Sequence, residues 1–437
     1  MKSLIVTRCI VISPTALLCA QERVDPLVPY TKTSVKGVDT TTLKGKVMAG
    51  YQGWFNTPTD GAKLGWTHWA RVGSKPFAPG NVTVDLWPDM TEYGAEERYA
   101  TGFQHADGKA AEVFSSYHRA TVVRHFQWMR EYGIDGAFVQ RFANGLKAEA
   151  MRHHKDMVLS NCREGANLHG RAYAVMYDLS GLQNGGTKIV IEDWKMLRSK
   201  MRMGKDPAYL HHEGKPLVAI WGIGFSGEER KYTLDECRAL IEFFQADGCA
   251  VMLGIPTGWR EQNRDATKDP ALHDILKLAD VLSPWTPGRY HSPETAKAHA
   301  EKYYKADSQW CREHSMDFLP VVFPGFSWHN LKPEFPLDQI PRLKGQFLWS
   351  QFAAAKQAGA TMIYVAMFDE VDEGTAIFKC TNNPPVGSNP FLTYEGLPSD
   401  HYLWLTGEGA RLLRGERPSE FTLPKRPVPM KNEPSKR

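Results

Sequence analysis

Short apolar runs, rich in β-branched and aromatic residues, recur eight times along this 437-residue chain. They lie at residues 47–50, 136–142, 172–177, 217–221, 250–255, 281–285, 318–323 and 362–368. Runs without polar alternation are strands covered on both faces, the mark of a buried parallel sheet. Amphipathic stretches separate them. Val122, Val123, Phe126 and Met129 keep one face of a helix, as do Leu240, Ile241 and Phe244 before the fifth run. Leu343, Phe347 and Ala354 do so before the eighth. Eight strand–helix units predict an α/β fold, a single-domain (β/α)8 TIM barrel over residues 21–416. The competing fold is an open doubly wound sheet, which wants a glycine-rich phosphate turn after the first strand. The segment Gly50-Tyr51-Gln52-Gly53-Trp54-Phe55 lacks that G-x-G-x-x-G pattern.

Charge narrows the partners. Lys plus Arg is 53 against 49 Asp plus Glu, a net of +4, which is no electrostatic footprint for nucleic acid. Aromatic content is the outlier, with 13 Trp, 16 Tyr and 20 Phe. Trp128, Trp194, Trp310 and Trp349 fall in helical stretches and read as packing. Trp221, Trp285 and Trp328 fall at strand ends and read as walls of a cleft. Residues 1–20 carry Lys2 and Arg8 before a short apolar stretch, which reads as a secretory signal peptide, too short to span a membrane. A secreted or periplasmic location follows, with a mature charge near +2. The five remaining cysteines, Cys162, Cys237, Cys249, Cys311 and Cys380, have no CxxC spacing. They leave room for one disulfide but read as mostly buried thiols. Residues 56–117 form a long insertion after the first strand, over the active-site face. It carries Trp66, His68, Trp69, Asp85, Trp87, Asp89, Glu92 and Tyr93, and its aromatics read as an ordered roof. Residues 417–437 are rich in Pro and Lys and read as a loosely attached tail.

In a barrel of this kind the C-terminal strand ends build the site. Strand one ends in Tyr51, Gln52 and Trp54, strand two in Gln140 and Arg141, and strand three in Tyr177 and Asp178. Strand four ends in Trp221, and strand five leads to Thr257, Trp259 and Arg260. Strand six leads to Trp285, Arg289 and Tyr290, and strand seven to Trp328, His329 and Asn330. The densest signal follows strand eight, where Asp369, Glu370, Asp372 and Glu373 put four carboxyl groups within five residues. Like charges this close push at least one pKa upward. Glycoside hydrolysis uses such a pair, one carboxyl kept protonated as acid and one ionised. Glu370 and Glu373 would point to opposite faces of a continuing strand, so the chain must turn near Val371 for them to converge. The competing readings are a solvated acidic loop or a calcium site, although the run lacks the EF-hand pattern. His153-His154 and His211-His212, in a predicted helix and a loop, have no HExxH or facial-triad context, so no metal and no cofactor is expected. The residues placed around the acids are Tyr51, Trp54, Arg141, Asp178, Trp221, Trp285, Arg289, Trp328, His329, Asp369 and Asp372.

Phe368-Asp369-Glu370-Val371-Asp372-Glu373-Gly374-Thr375-Ala376-Ile377 resembles the F-N-E-W-H-E-G-T-x-I motif of the glycoside hydrolase family 99 endo-α-mannosidases and endo-α-mannanases. More broadly the chain is similar to the family 71/99-like glycoside hydrolases. The segments VMAGYQGWF, MYDLSG and PGFSWHN carry the weaker likeness. The resemblance implies a retaining (β/α)8 hydrolase that cuts α-mannosidic bonds through a 1,2-anhydro sugar. It casts Glu370 as the base that draws the proton from the 2-hydroxyl, and Glu373 as the acid that protonates the leaving oxygen and later activates water. Val371-Asp372 stands where the family has Trp-His, and Asp369 where it has Asn, so the sugar itself stays open. The expected partner is an uncharged oligo- or polysaccharide met by a monomer. Two alternatives remain: a catalytically silent carbohydrate-binding barrel, and a metal-dependent barrel hydrolase.

Overall fold

A computed structural model describes residues 25–227 and 230–427. The signal-peptide reading of residues 1–20 lies outside them. The barrel strands are Val47–Tyr51, Gly136–Phe142, Ala172–Asp178, Lys215–Trp221, Ala250–Ile255, Val281–Pro284, a split seventh strand and Ile363–Val365. All neighbours along this path pair in parallel. The seventh strand closes the circle. Its first piece, Asp317–Phe318, pairs with the sixth strand, and its second piece, Val321–Val322, pairs with the eighth. Pro320 supplies no N–H to the ladder, but its carbonyl accepts from Tyr364 N at 3.0 Å.

Side chains alternate between two apolar layers, as the period of a strand requires. Met48, Phe138, Ala174, Met176, Ala219 and Met252 fill the barrel interior. Their neighbours Val47, Ala137, Val139, Val175, Val218 and Val251 face the surrounding helices. The helices Arg119–Glu131, Leu234–Ala246 and Gln346–Gln357 form where the periodicity predicts them, and His153-His154 lie in helix Glu149–His169. Thr233 caps Leu234–Ala246 in a reciprocal box with Glu236. Leu343 departs from expectation. It is exposed, at φ 50°, ahead of helix Gln346–Gln357, and takes no part in its buried face. His211–His212 also differs, forming a short antiparallel strand on Lys215 and Pro216 rather than a loop.

The insertion is ordered, but its aromatics do not roof a cavity. Trp69, Phe77, Trp87 and Phe103 are buried against one another, Phe77 lying 5.5 Å from Trp87 at 10° between ring planes. Tyr93 is buried too, its hydroxyl 2.8 Å from His125 Nε2. This is a second aromatic core that fixes the insertion onto the barrel. The helical tryptophans pack as expected, Trp128, Trp194 and Trp349 being fully buried. The tail is held as far as it is described. Trp349 Nε1 donates to Glu420 O at 3.0 Å, Gln346 Nε2 donates to Phe421 O at 3.0 Å, and Arg426 pairs with Asp400 at 2.6 Å. All five cysteines in the described residues are free and buried. No helix among the described residues is long and apolar enough to cross a membrane.

Candidate active site

Strand eight stops at Val365, and the chain folds back on itself. Thr375 N and Ala376 N donate to Glu370 O at 3.1 and 3.0 Å, and Phe378 N donates to Phe368 O at 3.0 Å. Residues 371–374 are the turn that the convergence of the two glutamates required. Gly374 closes it at φ 62°, with its Cα side against Ser327. A Cβ there would stand 2.8 Å from Ser327 N and 2.9 Å from Ser327 O. Gly374→Ala therefore combines a left-handed backbone with a backbone clash. It is expected to cost at least about 2 kcal/mol in denaturant unfolding and to displace Glu373, whose carbonyl accepts from Ser327 N.

The turn is held from three sides. Asp369 is fully buried and accepts from Gln52 N at 2.8 Å and Gly53 N at 2.9 Å, which ties the acidic loop to the end of strand one. Burial lifts its carboxyl to about 7 against those two bonds. From the insertion, Asp85 N donates to Val371 O at 3.0 Å. The Asp85 carboxylate accepts from His329 N, Asn330 N and Ser327 Oγ, which shapes the loop after strand seven. Asp372 takes His68 Nδ1 at 3.0 Å.

Glu370 and Glu373 line one cavity of about 210 Å³ at the C-terminal end of the barrel. That is smaller than the roughly 300–1,000 Å³ of most small-molecule pockets, and suits one sugar ring. Glu370 is 4% exposed. Its Oε1 accepts from Gln52 Nε2 at 2.6 Å and its Oε2 from Thr375 Oγ1 at 2.6 Å. Burial pushes its pKa well above the carboxylate range, and Glu373 and Asp372 push the same way, while Thr375 and Gln52 oppose them. Burial and then Asp372 push Glu373 up to about 7, and the nearby Lys332 pulls it down. The two acids therefore titrate as a pair that keeps a proton into the neutral range. Both Glu370 oxygens already accept from donors, which favours its ionised form against the burial that raises it. A third carboxyl, Asp178, lines the same cavity, lifted by burial to about 6 although Ser180 N donates to it at 2.7 Å.

Apolar walls complete the cavity. Trp221 and Trp285 meet edge to face at 5.6 Å, and Trp54 lies 5.2 Å from Phe142. Of the strand-end residues expected here, Trp54, Asp178, Trp221 and Trp285 line the cavity with the two glutamates. Asp369 and Asp372 frame it without lining it.

Five expected residues lie elsewhere. Tyr51 is buried on the outer face of strand one, its hydroxyl 2.8 Å from His125 Nδ1. Arg141 points out of the barrel and pairs with Asp193 and Asp156 on the surrounding helices. Arg289 is bound to Asp265 at 2.8 Å. Trp328 packs on Phe326 and Phe335, and His329 Nδ1 lies 2.7 Å from Phe335 O, both inside the strand-seven loop.

Further groups shape the site. Gln52 and Gln140 line the cavity, and strand parity singles out Gln140 over its neighbour Arg141. Thr375, whose hydroxyl holds Glu370, sits in the acidic motif with no spacing signal of its own. His68 and Asp85 come from the insertion, where nothing local marks them. His212, Glu213 and Asp317 place ligand atoms within 4.8 Å of one another, at the opposite end of the barrel. The Lys44 ammonium already bonds both carboxylates there, at 3.0 and 3.2 Å.

Comparison with known proteins agrees with this architecture. Residues 290–414 match the model of glycosyl hydrolase family 99. A glycoprotein endo-alpha-1,2-mannosidase-like protein of Danio rerio is 26% identical over 114 residues, a stretch covering 26% of this chain and 26% of the relative. The match thus spans about a quarter of that relative's length. The structure of the GH99 endo-alpha-mannosidase from Bacteroides thetaiotaomicron superposes with a TM-score of 0.59 at 18% identity, covering 86% of this chain and 99% of that one. A glycoside hydrolase-like protein does so at 0.51 and 13%, covering 88% and 98%. The segment matched to the family 99 model contains Glu370 and Glu373, and the chain shares the (β/α)8 fold of the family 99 endo-alpha-mannosidase structure.

Proposed function

We propose that the chain is an exported, retaining hydrolase of α-mannosidic or closely related α-glycosidic bonds. The observation that carries this reading is the pair of glutamates, Glu370 buried and Glu373 partly buried, sharing a one-ring cavity with Trp54, Trp221 and Trp285. Aromatic faces hold the apolar side of a sugar ring, and the two acids divide the chemistry.

In the first step Glu370 takes the proton of the 2-hydroxyl. The 2-oxygen attacks the anomeric carbon while Glu373 protonates the departing glycosidic oxygen. One C–O bond breaks, one forms, and a 1,2-anhydro sugar results. In the second step water attacks the same carbon and gives its proton to Glu373. The three-membered ring opens and Glu370 returns the proton to the 2-oxygen. Two inversions give net retention, and both acids end in their starting states. Asp178 offers a further acceptor for a sugar hydroxyl. The Gln52 and Thr375 bonds aim Glu370 throughout.

Product analysis by NMR over a panel of α-linked glycans is expected to show release of the α-anomer from an α-mannoside first. A β-anomer as first product contradicts retention, and sugar binding without turnover on the whole panel favours a silent carbohydrate-binding barrel.

A further inference from the structure

His68 stands beside the cavity in an arrangement that packing alone does not explain. It adopts φ 61°, a left-handed backbone that a residue with a bulky side chain takes only when its surroundings impose it. Its carbonyl is held by the Thr83 hydroxyl. Its ring lies flat on Trp54, centroids 3.8 Å apart and planes 3° from parallel. Trp54 is itself a wall of the cavity.

The ring's Nδ1 is 3.0 Å from Asp372 Oδ2. Asp372 is 3% exposed, and its other oxygen, Oδ1, is buried without a partner. A carboxyl so placed is costly, and its side-chain hydrogen bond goes to His68. The His68 side chain keeps 35% of its surface exposed, and its Nε2 has no protein partner among the described residues. Facing a carboxylate, Nδ1 is the ring nitrogen that carries the hydrogen, and Nε2 is left as the acceptor of that tautomer.

We propose that His68 is a sugar-binding residue, oriented by Asp372, whose Nε2 accepts a hydroxyl of the glycan unit next to the one held over Glu370 and Glu373. Trp54 and His68 form one continuous wall, the indole for the ring in the cavity and the imidazole edge for its neighbour. A unit without a hydroxyl at that place leaves Nε2 unpaired and is disfavoured. The proposal rests on the glutamate cavity being the active site, and the test separates the two.

α-Mannotetraose binding is measured by calorimetry in Glu370→Gln and in the same protein carrying His68→Phe or His68→Gln. Phe keeps the stack on Trp54 and loses the acceptor, whereas Gln keeps an acceptor. The expected result is binding weakened about tenfold by Phe, recovered largely by Gln, with equal melting temperatures. In the otherwise wild-type protein, His68→Phe is expected to raise KM by a similar factor and to move kcat less. Unchanged affinity in the Phe variant, or Phe and Gln weakening binding alike, overturns the proposal and leaves the active-site reading intact. No binding of the tetraose by folded Glu370→Gln overturns both.

Discussion

Glu370→Gln and Glu373→Gln are each expected to lower kcat/KM on an α-mannoside by about 10³-fold, within the range of positioned acid–base groups, with the fold retained. Both side chains are nearly isosteric with the originals, so the cavity keeps its shape. The two losses should differ with the leaving group. On the proposed route Glu373 protonates the departing oxygen, so an aryl glycoside with a good leaving group is expected to restore much of the rate in Glu373→Gln. On the same route Glu370 takes the 2-hydroxyl proton, so its variant is expected to stay slow on both substrates. Full activity of either variant sinks the assignment. The wild-type rate should fall above about pH 7, as the acid on Glu373 loses its proton. Asp372→Asn removes a negative charge that raises both glutamates, so this alkaline limb should move to lower pH.

The same electrostatics should appear in stability. Asp178 is lifted to about 6, Asp369 and Glu373 to about 7, and Glu370 is raised as well, burial being the first cause in each. Between roughly pH 4 and 7 the folded protein holds protons that the unfolded chain has released, so stability falls as pH rises through that window. The molecule is therefore expected to unfold at higher denaturant at pH 5 than at pH 8. Glu373→Gln removes one of these groups and should be more stable than wild type at pH 8 by on the order of 3 kcal/mol, with the difference vanishing near pH 4. Equal stability of the two at pH 8, by urea unfolding, contradicts the raised pKa of Glu373. A site that keeps several acids dry thus costs stability at the pH where its base must be ionised, the usual trade between stability and a preorganised site.

Much of this is legible along the chain. Runs 136–142 and 250–255 coincide with the strands residue for residue, because each is buried along nearly its whole length. The eighth run reads longer than its strand, Ile363–Val365, because 366–368 stay apolar while the chain already turns inward. Glu370 and Glu373 stand out because four carboxyls crowd directly behind an apolar strand, where mutual repulsion has to be offset by the surrounding fold. Tyr51 and Arg141 fall outside the cavity for one reason: a strand end alone does not say which face a side chain takes, and parity does. On strand two Gln140 faces in and Arg141 faces out, and on strand three Tyr177 faces out beside Asp178.

Local pattern alone, then, determined the barrel, the strand that carries the acids and the turn at Val371, since periodicity and charge density are properties of neighbours in sequence. The tertiary structure decided which side chains meet the acids. His68 reaches Asp372 across 304 residues, Asp85 reaches Ser327 across 242, and Gln52 reaches Glu370 across 318. It also turned the insertion's tryptophans into core, because their partners Phe77, Phe103 and Phe391 are gathered only on folding. Contacts of that range are made by closing the barrel, and no short stretch of chain encodes them.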